Sequence, residues 1–260
     1  MAVTYTSYLK IDELLGLQKP LSDGPQHDEM LFIVIHQVYE LWFKQLLHEL
    51  DFLAEQLGRG DAARAMGTLR RVLTILKVAV SQIDVLETMT PLEFLSFRER
   101  LESGSGFQSY QFREFEFLLG HKHAAALDRY PEGSEARRRL QARLDAPTVW
   151  DAFLRFLSGR GYAVPAELLA RDVRAAIEPS PGLQTVLVDL YRRDVTTASV
   201  CERLLDLDEG LQEWRYRHVK MVQRTIGSKS GTGGSAGAAY LMTTLNRSLF
   251  PDLWEIRSQL

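Results

Sequence analysis

Three tracts of this chain repeat apolar side chains every three to four residues over unusual lengths: about 27–57, about 61–87 and about 196–226. In the first, Leu31, Ile35, Val38, Trp42, Leu46 and Leu50 fall on one stripe of a helix. No segment alternates apolar and polar residues as a half-buried strand does, and no tract repeats. The pattern predicts an all-α chain of long antiparallel helices with short accessory helices, in a single domain spanning 1–260. Punctuation at Pro131-Glu-Gly133, Pro147, Gly159-Arg-Gly161, Pro165 and Pro179-Ser-Pro181-Gly182 predicts a subdomain of short helices between about 121 and 195. Thr90-Pro91-Leu-Glu93 predicts a capped helix start, with Pro91 in the first turn and Glu93 closing a capping box, and the helix is expected to run to about 101. Further helices are expected at about 108–119, 238–249 and 252–258.

With 260 residues, 45% of them hydrophobic, the chain can bury a sizeable core. Its 31 basic and 34 acidic residues are interspersed, so no whole-chain field favours nucleic acid or an anionic membrane. No stretch approaches the roughly 20 apolar residues of a membrane span, and residues 1–8 lack the blocks of a signal peptide. The expected compartment is the cytoplasm. One cysteine, Cys201, excludes an intramolecular disulfide and a cysteine-only metal cage.

Two of the six histidines stand out. His36 follows Phe32 by four residues and precedes Phe43 by seven, which places an imidazole among aromatic rings on one helix face. Taken singly, such a histidine is more often a satisfied core residue than a catalytic one. His218 lies in Trp214-Arg-Tyr-Arg-His218. It suits a haem ligand whose neighbours Arg215 and Arg217 meet propionates, and equally a buried histidine on a basic helix. His27, His48, His121 and His123 read as solvated or capping residues, and none of the six has zinc-site spacing. Phe94 and Arg98 repeat the spacing of Phe32 and His36, which suits an anion on an apolar body; Glu93, Glu99 or Glu102 could instead pair the arginine at the surface. The glycine-dense stretch 227–237 reads as a lid offering Thr232 and backbone amides, or as a solvated linker.

Taken together, His27-Asp-Glu-Met-Leu-Phe-Ile-Val-Ile-His36-Gln, Glu40-Leu-Trp-Phe-Lys44, Leu86-Glu-Thr-Met-Thr-Pro91, Phe97-Arg98, Ser105-Gly-Phe-Gln-Ser109, Arg215-Tyr-Arg-His218 and Gly231-Thr-Gly-Gly-Ser235 resemble the tryptophan 2,3-dioxygenase family, in order and approximate spacing. The likeness covers nearly the whole chain and is weakest from 121 to 196. It implies a helical enzyme, usually a homotetramer, with one haem b per subunit between its helices. That enzyme inserts both atoms of O2 into the indole 2,3-bond of L-tryptophan to give N-formylkynurenine, the first step of tryptophan catabolism by the kynurenine route. By the same resemblance His218 is the proximal iron ligand, Ser105 and Gly106 lie beside the haem, and His36 lies distal, near the indole nitrogen. Arg98 would hold the substrate carboxylate, Thr232 would meet the amino-acid end, and Phe32, Ile33, Val34, Ile35 and Phe94 would line the substrate side. Tyr5 and Tyr8 would enter a neighbouring subunit's pocket. Some relatives carry tyrosine where this chain has Phe94, which removes one hydrogen bond to the carboxylate. A haem enzyme adding a single oxygen to a substituted tryptophan, or a non-catalytic helical haem protein, would keep the same motifs.

Overall fold

The computed structural model describes residues 2–24, 26–231 and 237–260. Among these there is no strand, and thirteen α-helices follow one another: α1 (Tyr5–Leu9), α2 (Ile11–Leu15), α3 (His27–Gly58), α4 (Ala62–Leu86), α5 (Pro91–Arg98), α6 (Tyr110–Leu118), α7 (Glu135–Asp145), α8 (Val149–Gly159), α9 (Ala166–Leu169), α10 (Pro181–Arg193), α11 (Val195–Ile226), α12 (Ala238–Met242) and α13 (Pro251–Glu255). No helix among the described residues is long and apolar enough to cross a membrane.

The three periodic tracts become α3, α4 and α11, and α4 packs against both of the others. On α3, Leu46, Leu50, Leu53 and Leu57 are fully buried, each contributing roughly 1.5–3 kcal/mol relative to exposure. Between α3 and α4 the chain reverses within three residues, where Gly60 takes φ +75° and Asp61 caps α4 by accepting from the Arg64 amide at 3.0 Å. Tyr39 on α3 donates to the Ala79 carbonyl at 2.7 Å, and Arg71 donates to Glu49 at 3.0 Å. Positions rising along α3 thus meet positions falling along α4, an antiparallel pair.

The third long helix departs from the expected antiparallel arrangement. Gly210 lies against Leu76, and Arg217 pairs with Asp84 at 2.5 Å, so α4 and α11 run parallel. The long excursion between them carries the chain back to the end where α4 begins, which a short hairpin turn could not do.

The capped start at Thr90 forms as expected: its amide donates to Glu93 at 2.6 Å and its hydroxyl accepts from the Glu93 amide at 3.4 Å. Helix α5 ends at Arg98 and passes into a 3-10 turn, Glu99–Leu101. A second 3-10 turn, Gly106–Gln108, precedes α6. The tract expected to be helical from 238 to 249 is helical only to Met242, after which Asn246 takes φ +60° and stops it. Within 121–195, α7 and the turn Ala124–Arg129 pack around Phe117 as a satellite cluster, whereas α8 and α10 join the main core.

Candidate active site

An apolar cavity of about 250 Å³ is bounded by α3, α5, α6, α11 and the segments around them. Helix α3 contributes Phe32, His36, Tyr39, Glu40 and Phe43, the one stripe that a 3.6-residue period makes from those positions. Trp214, His218, Val219 and Val222 come from α11 by the same geometry. Phe94 and Arg98 enter from α5, Ser105 and Gly106 from the turn before α6.

His36 and His218 face this one space from different helices, yet they are held differently. The His36 Nδ1 lies 2.7 Å from the Phe32 carbonyl, which can only accept, so Nδ1 carries the proton and Nε2 keeps a lone pair. Burial lowers the His36 pKa below its ordinary 6.5, outweighing the Phe32 bond and the nearby Glu40 charge, which act to raise it. Its ring lies 4.0 Å from that of Phe32. His218 stacks on Trp214 with ring centroids 5.1 Å apart and planes only 7° from parallel. Burial, with His36 opposite as a second potential cation, pushes His218 down to about 4. No hydrogen bond holds either of its ring nitrogens among the described residues. The result is a deep, neutral, unpartnered imidazole beside an apolar space.

Phe94 lies 5.8 Å from the Phe32 ring, and both pack on Phe97. Arg98 makes no ion pair with Glu93, Glu99 or Glu102. Instead its Nη2 donates to the Ser230 carbonyl at 2.6 Å, tying α5 to the start of the glycine stretch, and its buried Nε has no partner. The two ends of that stretch meet: Gly237 has φ +58°, and a Cβ there would lie 2.7 Å from the Lys229 carbonyl oxygen, so only glycine fits. Thr232 lies outside the described residues.

The structure brings Phe32, His36, Phe94, Arg98, Ser105, Gly106 and His218 onto one cavity and leaves other candidates elsewhere. Ile33, Val34 and Ile35 do not line it, because consecutive helical residues point 100° apart: Val34 is exposed and Ile35 packs in the core. Tyr5 and Tyr8 stand 75% and 76% exposed on α1, a helix with no buried residue.

The flanking arginines are not disposed toward propionates as expected from the sequence. Arg217 turns to Asp84 and Glu87 on the far side of α11. Arg215 is 5% exposed and donates to Glu116 at 2.8 Å, to the Thr244 carbonyl at 3.2 Å and to His121 Nδ1 at 2.9 Å. Glu116 also takes the guanidinium of Arg113, so one buried carboxylate holds two buried cations. Burial alone would raise the Glu116 carboxyl, but Arg113 and Arg215 more than reverse it, and it stays ionised. His121, expected to be solvated or capping, belongs to this wall; burial and then Arg215 lower its pKa. Arg113 and Glu116 sit three apart on an aromatic-rich helix, a pattern that shows a shared face but not its partners.

These groups fit a haem. A neutral imidazole with a free nitrogen is the ligand form that iron requires, and the wall of two arginines and one carboxylate carries a net positive charge, with the buried Nε of Arg113 unpaired, where an anionic side chain of the group could sit. No cluster of three or more His, Cys, Asp or Glu that could hold a bare ion occurs among the described residues.

The profile of the tryptophan 2,3-dioxygenase family matches residues 1–142 and 174–260. Tryptophan 2,3-dioxygenase of Herpetosiphon aurantiacus is 59% identical over all of this chain and 99% of its own length. That of Anaeromyxobacter sp. (strain K) is 57% identical over all of this chain and 97% of its own, and that of Bacillus cereus 41% identical over 99% and 93%. Matched by the family's profile over most of its length and by relatives similar from end to end, the chain belongs to the tryptophan 2,3-dioxygenase family.

Proposed function

We propose that this chain catalyses the dioxygenation of L-tryptophan, in which both atoms of O2 are added across the indole C2–C3 bond, that bond breaks, and N-formylkynurenine results. The observation that carries the reading is the placement of His36, His218 and Arg98 around one apolar cavity, each with a nitrogen left unpartnered among the described residues. Relatives similar over their whole length bear the name of this activity.

One haem b per chain would be the cofactor, held by His218 as the iron ligand with Arg113 meeting its negative charge and Ser105 and Gly106 beside it. When bound, the haem supplies the reduced iron that activates dioxygen. The chain's own residues do the rest. Arg98 holds the substrate carboxylate through Nε and a remaining N–H, while Ser230 keeps the guanidinium in place. The His36 Nε2 lone pair accepts from the indole N–H, which orients the ring without removing its proton. Phe32 and Phe94 flank the ring and exclude water. Phe94 brings no hydroxyl, so the carboxylate depends on Arg98, with Thr232 assigned to the amino-acid end.

The active form is a homo-oligomer, a homotetramer by family resemblance, in the cytoplasm. Tyr5, Tyr8, Leu15, Leu17 and Leu21 are exposed along one N-terminal arm, an apolar surface that an adjoining subunit would cover.

Turnover of L-tryptophan in labelled dioxygen tests the proposal. The expected product carries two labelled oxygens, and the ferrous absorption spectrum changes on adding L-tryptophan. A product with one labelled oxygen would assign the chain to monooxygenation, and a purified protein unable to bind haem would make it a non-catalytic helical relative. Tryptamine, which lacks the carboxylate, should be turned over poorly; turnover equal to that of L-tryptophan would remove Arg98 as the anchor.

A further inference from the structure

A second cavity, of about 430 Å³, lies beyond the Arg113–Glu116–Arg215 wall, and the proposed reaction does not use it. Its charge is one-sided. Arg113, Lys122, Arg215 and Arg247 line it, against the single carboxylate of Glu116, which both Arg113 and Arg215 already engage. Arg247 is exposed at its edge and has neither an ion pair nor a hydrogen bond among the described residues. The ammonium of Lys122 donates only to the carbonyls of Leu144, at 3.0 Å, and Ala146. Burial pulls Lys122 down to about 8, against the charges of Asp151, Asp145 and Asp172, which act to raise it; the Asp151 carboxylate is itself bound to Arg171 at 2.6 Å and to the Thr148 amide. Arg113, 6% exposed, keeps its unpaired Nε in the common wall. Ile177 and Leu249 add an apolar side, and Ile177 packs against Gly120, where a Cβ would collide with it.

Unpaired cations in a concave site attract an anion, and a space this large with apolar residues on one side is larger than an inorganic ion needs. We infer that this cavity is a second ligand site, which takes a small organic carboxylate with its charged end on Arg247 and Lys122 and its apolar body against Ile177 and Leu249. Cations are excluded by sign. Neutral ligands would leave the guanidinium of Arg247 without its counter-charge.

Calorimetric titration of the ferric holoenzyme with benzoate tests the site, run with and without saturating L-tryptophan so that the first cavity is filled in one arm. Benzamide serves as the neutral isostere and inorganic phosphate as an anion without an apolar body. Benzoate is expected to bind equally in both arms, and about tenfold more weakly in Arg247→Gln, on the scale of one charge-assisted hydrogen bond. Benzamide and phosphate should both bind at least that much more weakly than benzoate. Arg247→Gln is an exposed change and should leave L-tryptophan turnover as it was. Competition between benzoate and L-tryptophan would place the benzoate on Arg98 and overturn the inference. It would equally be overturned by no benzoate binding, by an affinity unchanged in Arg247→Gln, by benzamide matching benzoate, or by phosphate matching it.

Discussion

On one side of the Arg113–Glu116–Arg215 wall the lining is aromatic and aliphatic with two imidazoles held neutral; on the other it carries Lys122 and Arg247, with no free carboxylate to balance them. Burial acts in the same direction in both places, disfavouring charge, but the outcome depends on where each group starts. His218 begins near 6.5 and is pushed down to about 4, so at neutral pH it has lost its proton and offers a lone pair. Lys122 begins near 10.5 and is pulled down only to about 8, so it stays mostly charged. One desolvation penalty leaves an unprotonated imidazole on one face of the wall and a charged ammonium on the other. Glu116 separates the two: its charge cancels one arginine and leaves the second uncompensated.

The sharpest way to break this contrast is at His218. His218→Ala should leave the apolar cavity without an iron ligand, and purified protein reconstituted with haem should lose the absorption signature of a histidine-bound five-coordinate iron almost completely. A normal signature in that variant would give the ligand role to another residue. Glu116→Gln attacks the wall. It leaves two buried guanidinium groups without their shared carboxylate, so stability in urea should fall by about 3–5 kcal/mol; a loss below about 1 kcal/mol, the scale of an exposed pair, would mean that the two cavities are not divided by a coupled charge cluster.

A smaller effect is expected at His36. Because its Nε2 is assigned to one hydrogen bond with the substrate, His36→Ala should retain haem and cost about 1–3 kcal/mol in kcat/KM. Complete inactivity with haem and substrate binding intact would require proton transfer by His36 instead. The smallest effect is in pH. A histidine whose pKa is lowered stays neutral to lower pH than a free one, so kcat/KM should be level from neutrality down to 6.5 and decline only below it. An acid limb centred at or above 6.5 that disappears in His36→Ala would show that burial does not control this imidazole.

Much of the first cavity was legible in the chain itself. Positions 32, 36, 39, 40 and 43 form a stripe on any helix, and the spacing of Phe94 and Arg98 on a capped helix is equally local. Periodicity sets only Val34 well off that stripe; Ile33 and Ile35 stand three positions from His36 and Phe32, and packing decides where they go. The second cavity had no such signal. His121 read as a solvated or capping residue, and Arg215 as either a propionate partner or part of a basic helix face.

The chain alone thus determined the helices, their caps and the faces they bury, because each depends on residues within about four positions of one another. Tertiary structure decided that α4 and α11 run parallel, that Arg217 turns away to Asp84, and that Arg215 closes on a carboxylate 99 residues earlier. It also decided the environment that leaves His218 neutral and Lys122 charged. Desolvation and ion pairing depend on what surrounds a group in space, and residues so distant in the chain acquire those surroundings only when the long helices pack.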